Sequence, residues 1–166
     1  MNIRIVMITA AGVLLAGSGL FLQPQSWLVW NRTSSAPQGL YRLSGAPFTP
    51  GQWVAVSSRS KAGAWAEANG FVGRDWPLLK RIVAVQGAEI CRIGADIFID
   101  GVWAATALEA DSRGRELPVW RGCHVLDKDE IFLLNAHPRS LDGRYFGATS
   151  IEDVDGVAIP LLLIGG

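Results

Sequence analysis

Leu79-Lys80-Arg81-Ile82-Val83-Ala84-Val85-Gln86-Gly87 puts a lysine at the head of an apolar, largely β-branched run. Ile82, Val83 and Val85 read as a buried strand closed by Gly87. Desolvation penalises an ammonium held there, so the side chain can shed its proton and serve as a neutral amine base. A base needs a nucleophile. Upstream, Asn31-Arg32-Thr33-Ser34-Ser35-Ala36-Pro37-Gln38-Gly39-Leu40-Tyr41 offers serines at a turn. A turn serine with a strand lysine is the Ser-Lys variant of acyl-transfer machinery. Taken alone, the stretch fits a surface lysine snorkelling at a strand start better, given the preference of lysine for solvent. Other segments change that balance.

The chain has 166 residues, enough for one domain with its own core plus an appendage. Fifteen basic residues balance fifteen acidic ones, so nothing points to nucleic acid, which normally draws a basic excess. Cys91 and Cys123 lack metal-ligand spacing, and neither a metal nor a cofactor is expected.

Ile5 to Leu22 carries no charge. As a helix it would span roughly 27 Å at about 1.5 Å per residue, just sufficient for a hydrocarbon core. Arg4 precedes it, and Trp27 and Trp30 follow where interfacial aromatics are expected. Ala16-Gly17-Ser18 also fits a cleavable signal peptide, but the apolar run continues through Leu20, Phe21 and Leu22, which favours an anchor. The expected organisation is a cytoplasmic end at 1–4, a membrane anchor at 5–22, a linker at 23–30 and a periplasmic catalytic domain at 31–166. The expected location is a bacterial inner membrane, crossed once. Outside the cytoplasm Cys91 and Cys123 can form a disulfide or stay separate buried thiols. The disulfide would close a loop of about 32 residues, worth roughly 3–4 kcal/mol.

Strands are expected over Leu40–Leu43, Trp53–Val56, Glu89–Ile93, Ile97–Ile99, Ile131–Leu134 and Val157–Ile164. Lys61–Asn69 reads as a short helix ending at Gly70. Asp100-Gly101 marks a hairpin, and Thr106–Val119 reads as an exposed excursion. The fold class is mainly β, a folded sheet or partly open barrel. Before the last strand, Asn135-Ala136-His137-Pro138-Arg139-Ser140-Leu141-Asp142-Gly143-Arg144-Tyr145-Phe146-Gly147 is dense in polar groups. Asp142 and Arg144 can pair, and Ser140 can hold a neutral amine in one rotamer. A solvated turn explains the same residues.

Together these stretches resemble the type I signal peptidases, and within them the TraF-like conjugative-transfer branch. The serine stretch is similar to that branch's Asn-x-Thr-x-Ser-x-Pro-x-Gly-Leu-Tyr. The lysine stretch is similar to the general Lys-Arg-x-x-Gly-x-Pro-Gly-Asp, with Ala84, Gln86 and Ala88 in place of Gly, Pro and Asp. Ser140-Leu141-Asp142-Gly143-Arg144 is similar to Ser-x-Asp-Ser-Arg, with Gly143 in place of a serine. These departures favour the specialised branch.

The resemblance implies Ser35 as nucleophile, two residues before Pro37, with Ser34 the alternative at the general family's spacing. It implies Lys80 as base and then acid. The Ser35 N–H and Thr33 hydroxyl would bind the oxyanion, although Thr33 fits a local turn as well. Ser140 would orient Lys80, with Asp142 and Arg144 holding that loop. The expected substrate is an exported precursor, above all a conjugative pilin subunit, cut after small side chains. Some relatives join the new ends into a circle. Membrane lipid and other conjugative transfer proteins are the expected partners. A general signal peptidase and a non-catalytic, membrane-tethered scaffold are the rival readings. His124 and His137 invite a Ser-His reading that a lysine base makes unnecessary, and His137 beside Pro138 reads as a loop residue. Asn31-Arg32-Thr33 reads as a sequon without significance in a bacterium, and Glu67 and Asp75 as lacking partners.

Overall fold

A computed structural model describes residues 28–164 of the chain. The anchor expected at 5–22 lies outside the described residues. Among those residues no helix is long and apolar enough to cross a membrane.

The order is β1 Leu28–Asn31, β2 Gly39–Ser44, β3 Trp53–Val56, α1 Lys61–Ala68, β4 Leu78–Ala84, β5 Glu89–Ile93, β6 Asp96–Ile99 and β7 Val102–Thr106. There follow β8 Gly122–Val125, β9 Glu130–Leu133, a one-turn α2 at Gly143–Phe146, β10 Thr149–Ser150, a 3-10 turn at Ile151–Asp153 and β11 Val154–Leu163. Seven strands form a curled half-barrel sheet ordered β1-β2-β11-β3-β4-β9-β10. Four form a smaller sheet ordered β7-β6-β5-β8. All pairings are antiparallel. The chain is thus mainly β, as its short β-branched runs imply. Strand β1 begins inside the stretch assigned to a linker, and it pairs with β2 from Leu28↔Arg42 to Asn31↔Gly39.

One core packs Val54, Val56, Leu78, Ile82, Ile131, Leu133 and Val157 of the large sheet against Ala66 of α1. Ser60 starts that helix by accepting the Gly63 N–H at 3.0 Å. Position 63 must be glycine, because a Cβ there would lie 2.3 Å from the Ser57 carbonyl oxygen. A second core joins Ile90, Ile97 and Ala105 of the small sheet to Ala84 and Phe132, so the two sheets share one interior. The hairpin at Asp100-Gly101 forms as expected, with φ of 49° and 76°, the left-handed pair that such a turn requires.

The excursion after β7 is less exposed than its charges suggested. Ala107 and Leu117 are buried against Tyr145. Arg115 is held by Asp111 and donates to the Asn69 carbonyl. Its guanidinium also lies 3.9 Å over the Phe71 ring. Glu67 and Asp75 likewise have each other, since a Glu67 carboxylate oxygen accepts the Asp75 N–H at 3.1 Å.

Cys91 and Cys123 face each other across β5 and β8 and form a disulfide spanning 32 residues. It closes the loop that carries the whole excursion. Replacing both cysteines by serine should lower stability by about 3–4 kcal/mol through the freed unfolded chain. Thermal unfolding measures this, and an unchanged midpoint would refute it.

Candidate active site

The turn holding Ser35 is built around one buried asparagine. Asn31 Nδ2 donates to the carbonyls of Thr33, Ala36 and Pro37 at 3.1, 3.1 and 3.0 Å. Its Oδ1 accepts the Thr33 N–H at 3.1 Å and the Thr33 hydroxyl at 2.8 Å. Tyr41, fully buried, donates its hydroxyl to the Pro37 carbonyl at 2.6 Å. Position 39 must be glycine, because φ is +150° and a Cβ would sit 2.0 Å from the Leu162 carbonyl oxygen. So fixed, the turn puts half-buried Ser35 on a cleft of about 1310 Å³, whose lining includes Thr33, Lys80 and Ser140. Ser34 is exposed on the same turn.

Strand β4 carries Lys80 opposite Val54 of β3. Only 5% of the lysine is exposed. Burial holds its ammonium down, to a pKa of about 8; Asp142 partly opposes the shift and Arg144 adds to it. The amine donates to Ser140 Oγ at 3.2 Å. The Ser35 hydroxyl lies 3.4 Å from Thr33 Oγ1. Because Thr33 gives its proton to Asn31, Ser35 is the donor in that contact. The two cleft-lining groups are therefore held by other partners here, Lys80 by Ser140 and Ser35 by Thr33. For Thr33 to serve an oxyanion, its hydroxyl must rotate away from Asn31.

The polar stretch after β9 folds into a buried knot. Asp142 caps α2 by accepting the Arg144 N–H at 3.2 Å. It also accepts Arg144 Nη1 at 2.7 Å and the Asn135 N–H at 3.0 Å. Arg144 Nη2 reaches the Asn135 carbonyl at 2.8 Å. Burial pushes the Asp142 carboxyl up, against the pull of the Arg144 and Lys80 charges. The solvated-turn reading of this stretch is set aside, since Ser140, Asp142 and Arg144 are each under 5% exposed. Gly143, where the general family motif has serine, has no room for a side chain: a Cβ would lie 2.5 Å from Phe132 Cε2. The excursion and Trp120 just past it brace this knot from outside. Trp120 Nε1 donates to the Gly143 carbonyl at 2.9 Å, and the Tyr145 hydroxyl accepts the Leu108 N–H at 3.1 Å. From the small sheet, buried Arg92 donates to the Arg144 carbonyl at 2.6 Å.

His137 Nδ1 accepts the Arg139 N–H within the loop, and His124 pairs with Glu130 at 2.6 Å on the surface. Among the described residues, Glu89, Cys91 and Cys123 are close enough to share a cation, but both sulfurs are spent in the disulfide. One residue that the sequence reading left without a role stands at the centre of the site. Asn135, 2% exposed, bonds to both the Ser35 and the Lys80 segments. Its only signal in sequence is an amide placed directly after the apolar run of β9.

The chain matches the family described as signal peptidase, peptidase S26, over residues 1–162. It is 30% identical over 164 residues to a plasmid transfer protein TraF of Escherichia coli, covering 92% of this chain and 90% of that protein. It is 32% identical over 162 residues to the conjugal transfer protein TraF of Agrobacterium fabrum, covering 91% and 90%. Among solved structures, a signal peptidase I of Enterococcus faecalis aligns with a TM-score of 0.39 at 19% identity, over 69% of this chain and 98% of that one.

Proposed function

Because the chain belongs to the signal peptidase family S26, we propose that it is a membrane-anchored serine endopeptidase working through Ser35 and Lys80. Its substrate is an exported precursor of a conjugation apparatus, a pilin subunit above all. The observation that carries this reading is a lysine amine, buried and poised near pKa 8, on the same cleft as a serine held at a tight turn.

In the acylation step Lys80 takes the Ser35 proton as Oγ attacks the scissile carbonyl, and the Ser35 N–H with a rotated Thr33 hydroxyl holds the oxyanion. Lys80 then protonates the leaving amine. Ser140 keeps the amine in one rotamer throughout. The mature protein departs as that leaving amine, and water attacking the ester then releases the leader. Where the cut instead expels a C-terminal piece, the substrate's own N-terminal amine can attack the ester and close a circle, with the Ser35 proton restored in either case.

The names of the relatives support the conjugative setting. The disulfide supports an oxidising compartment, hence the periplasm. An anchor at 5–22 agrees with an apolar row across the nearby sheet edge. Trp30, Leu40 and Leu162 pair in register, with Trp30 48% and Leu162 59% exposed.

Purified full-length protein should cut a conjugative pilin precursor in preference to an ordinary secretory preprotein. Mass spectrometry reads both the cut and any loss of one water on ring closure. Preference for the secretory preprotein would replace this reading with that of a general signal peptidase.

The titration of Lys80 also fixes a pH profile. With its pKa lowered to about 8, the neutral base is the minor form below that value and the major form above it. Activity, followed as kcat/KM, should therefore rise about tenfold per unit on the acid side and level off above roughly pH 8. A flat profile between about pH 6 and 9 would contradict the assignment.

A further inference from the structure

Asn135 lies two residues beyond β9, just past the point where pairing with β4 ends at Ile82↔Leu133 and the Leu134 N–H bonds to the Arg81 carbonyl at 3.0 Å. Its side chain continues the ladder. Oδ1 accepts the Arg81 N–H at 3.0 Å and Nδ2 donates to the Leu79 carbonyl at 3.1 Å. These are the two peptide groups flanking Lys80. The second Nδ2 proton goes to the Ser35 carbonyl at 2.9 Å, across a separation of 100 residues. The orientation of the amide is not open to choice, because one neighbour only donates and the other two only accept. Its own backbone is clamped in turn, N–H by Asp142 and carbonyl by Arg144.

We propose that Asn135 is a positioning residue that sets the Ser35 turn and the Lys80 strand at a fixed offset from each other. One planar amide bonds to both segments, so neither can shift without stretching one of its hydrogen bonds. Asp142 and Arg144 bear on the reacting pair through this residue, whose backbone they clamp, as well as through Ser140, whose carbonyl Arg144 also reaches. Misplacing reacting groups by about 1 Å can cost roughly 100-fold in rate, and such a shift is what loss of the amide permits.

The inference rests on the Ser35–Lys80 reading, so the test keeps the two separable. The probe is a fluorogenic peptide with an Ala-x-Ala cleavage pattern, given to the full-length chain in detergent micelles. Asn135→Ala should lower kcat by roughly 100-fold with KM within about twofold. Asn135→Asp should fall comparably, because it keeps the acceptor for Arg81 but turns an oxygen toward the Leu79 and Ser35 carbonyls. Ile97→Ala, in the small-sheet core, serves as a variant destabilised without touching the site. It should lower the unfolding midpoint while leaving kcat of the folded protein unchanged.

Near-UV circular dichroism establishes that each variant is folded at the assay temperature. A folded Asn135→Ala with kcat within about threefold of the parent overturns the proposal, as does an equal kcat loss in Ile97→Ala. Failure of both Asn135 variants to fold also counts against it, since the residue would then serve folding rather than register. Full activity in Ser35→Ala or Lys80→Ala would instead sink the dyad. Loss in those two with a normal Asn135→Ala sinks only the role given to Asn135.

Discussion

On the proposed Ser-Lys chemistry, Ser35→Ala and Lys80→Ala should each leave the precursor uncut, with turnover down by roughly 1000-fold or more. Removing the Ser35 hydroxyl deletes the atom that would become acylated. Its loss should not unfold the turn, because the turn is held through the Ser35 carbonyl and Asn31, and Oγ adds only the 3.4 Å contact with Thr33. Removing the Lys80 amine deletes the base and relieves a buried ammonium, so folding should survive there too. Lys80→Arg should not restore activity, since a guanidinium stays protonated at every working pH. Nucleophile and base act as a unit, so the double variant should be no slower than either single one. Accumulated precursor and the released leader, resolved by mass spectrometry, measure the effect. Near-normal cleavage by either single variant would pass the protein to the scaffold reading.

Arg144→Met should cost about 3–5 kcal/mol of stability, because it strands a buried carboxylate. Asp142 has a fully buried side chain and keeps only the Asn135 and Arg144 N–H groups once the guanidinium is gone. For a domain of this size the unfolding midpoint falls by roughly 10–15 °C. The deficit should depend on pH in a defined direction. Burial already holds the Asp142 carboxyl above its ordinary value, and losing Arg144 pushes it further up. A folded-state pKa above the unfolded one means that the carboxyl is bound as neutral acid at low pH. The deficit of the variant therefore shrinks in acid and grows as pH rises through the raised value. Adding Asp142→Leu should recover much of the loss, since the pair is then replaced by apolar groups. Calorimetry across pH checks both statements. A loss under about 1 kcal/mol, or a double variant no more stable than the single, would mean that the knot is not held by this ion pair.

Local order is what the sequence could be read for. β-branched runs made strands, Asp100-Gly101 made a hairpin, and an alanine-rich stretch capped by Ser60 made α1, because these choices depend on neighbours in the chain. The polar motifs were legible as motifs, and so was the family they resemble. Burial was not. Charges on Asp111, Arg113 and Arg115 read as an exposed excursion, yet Ala107 and Leu117 within it are packed against Tyr145. Taken alone, the stretch from Asn135 to Gly147 read better as a solvated turn, and only folding put Asp142 and Arg144 in the interior.

Asn135 marks the limit most clearly. A lone asparagine after a strand has no local signature, and its three partners lie 54, 56 and 100 residues away. The sequence by itself determined which strands form and which polar side chains make up the candidate site, since both follow from residue type and short spacing. Only the tertiary structure decided that Lys80 is dry, that Ser140 touches its amine and that one amide joins the two halves. Desolvation and hydrogen-bond geometry belong to surroundings assembled from distant segments, and no local stretch of chain contains them.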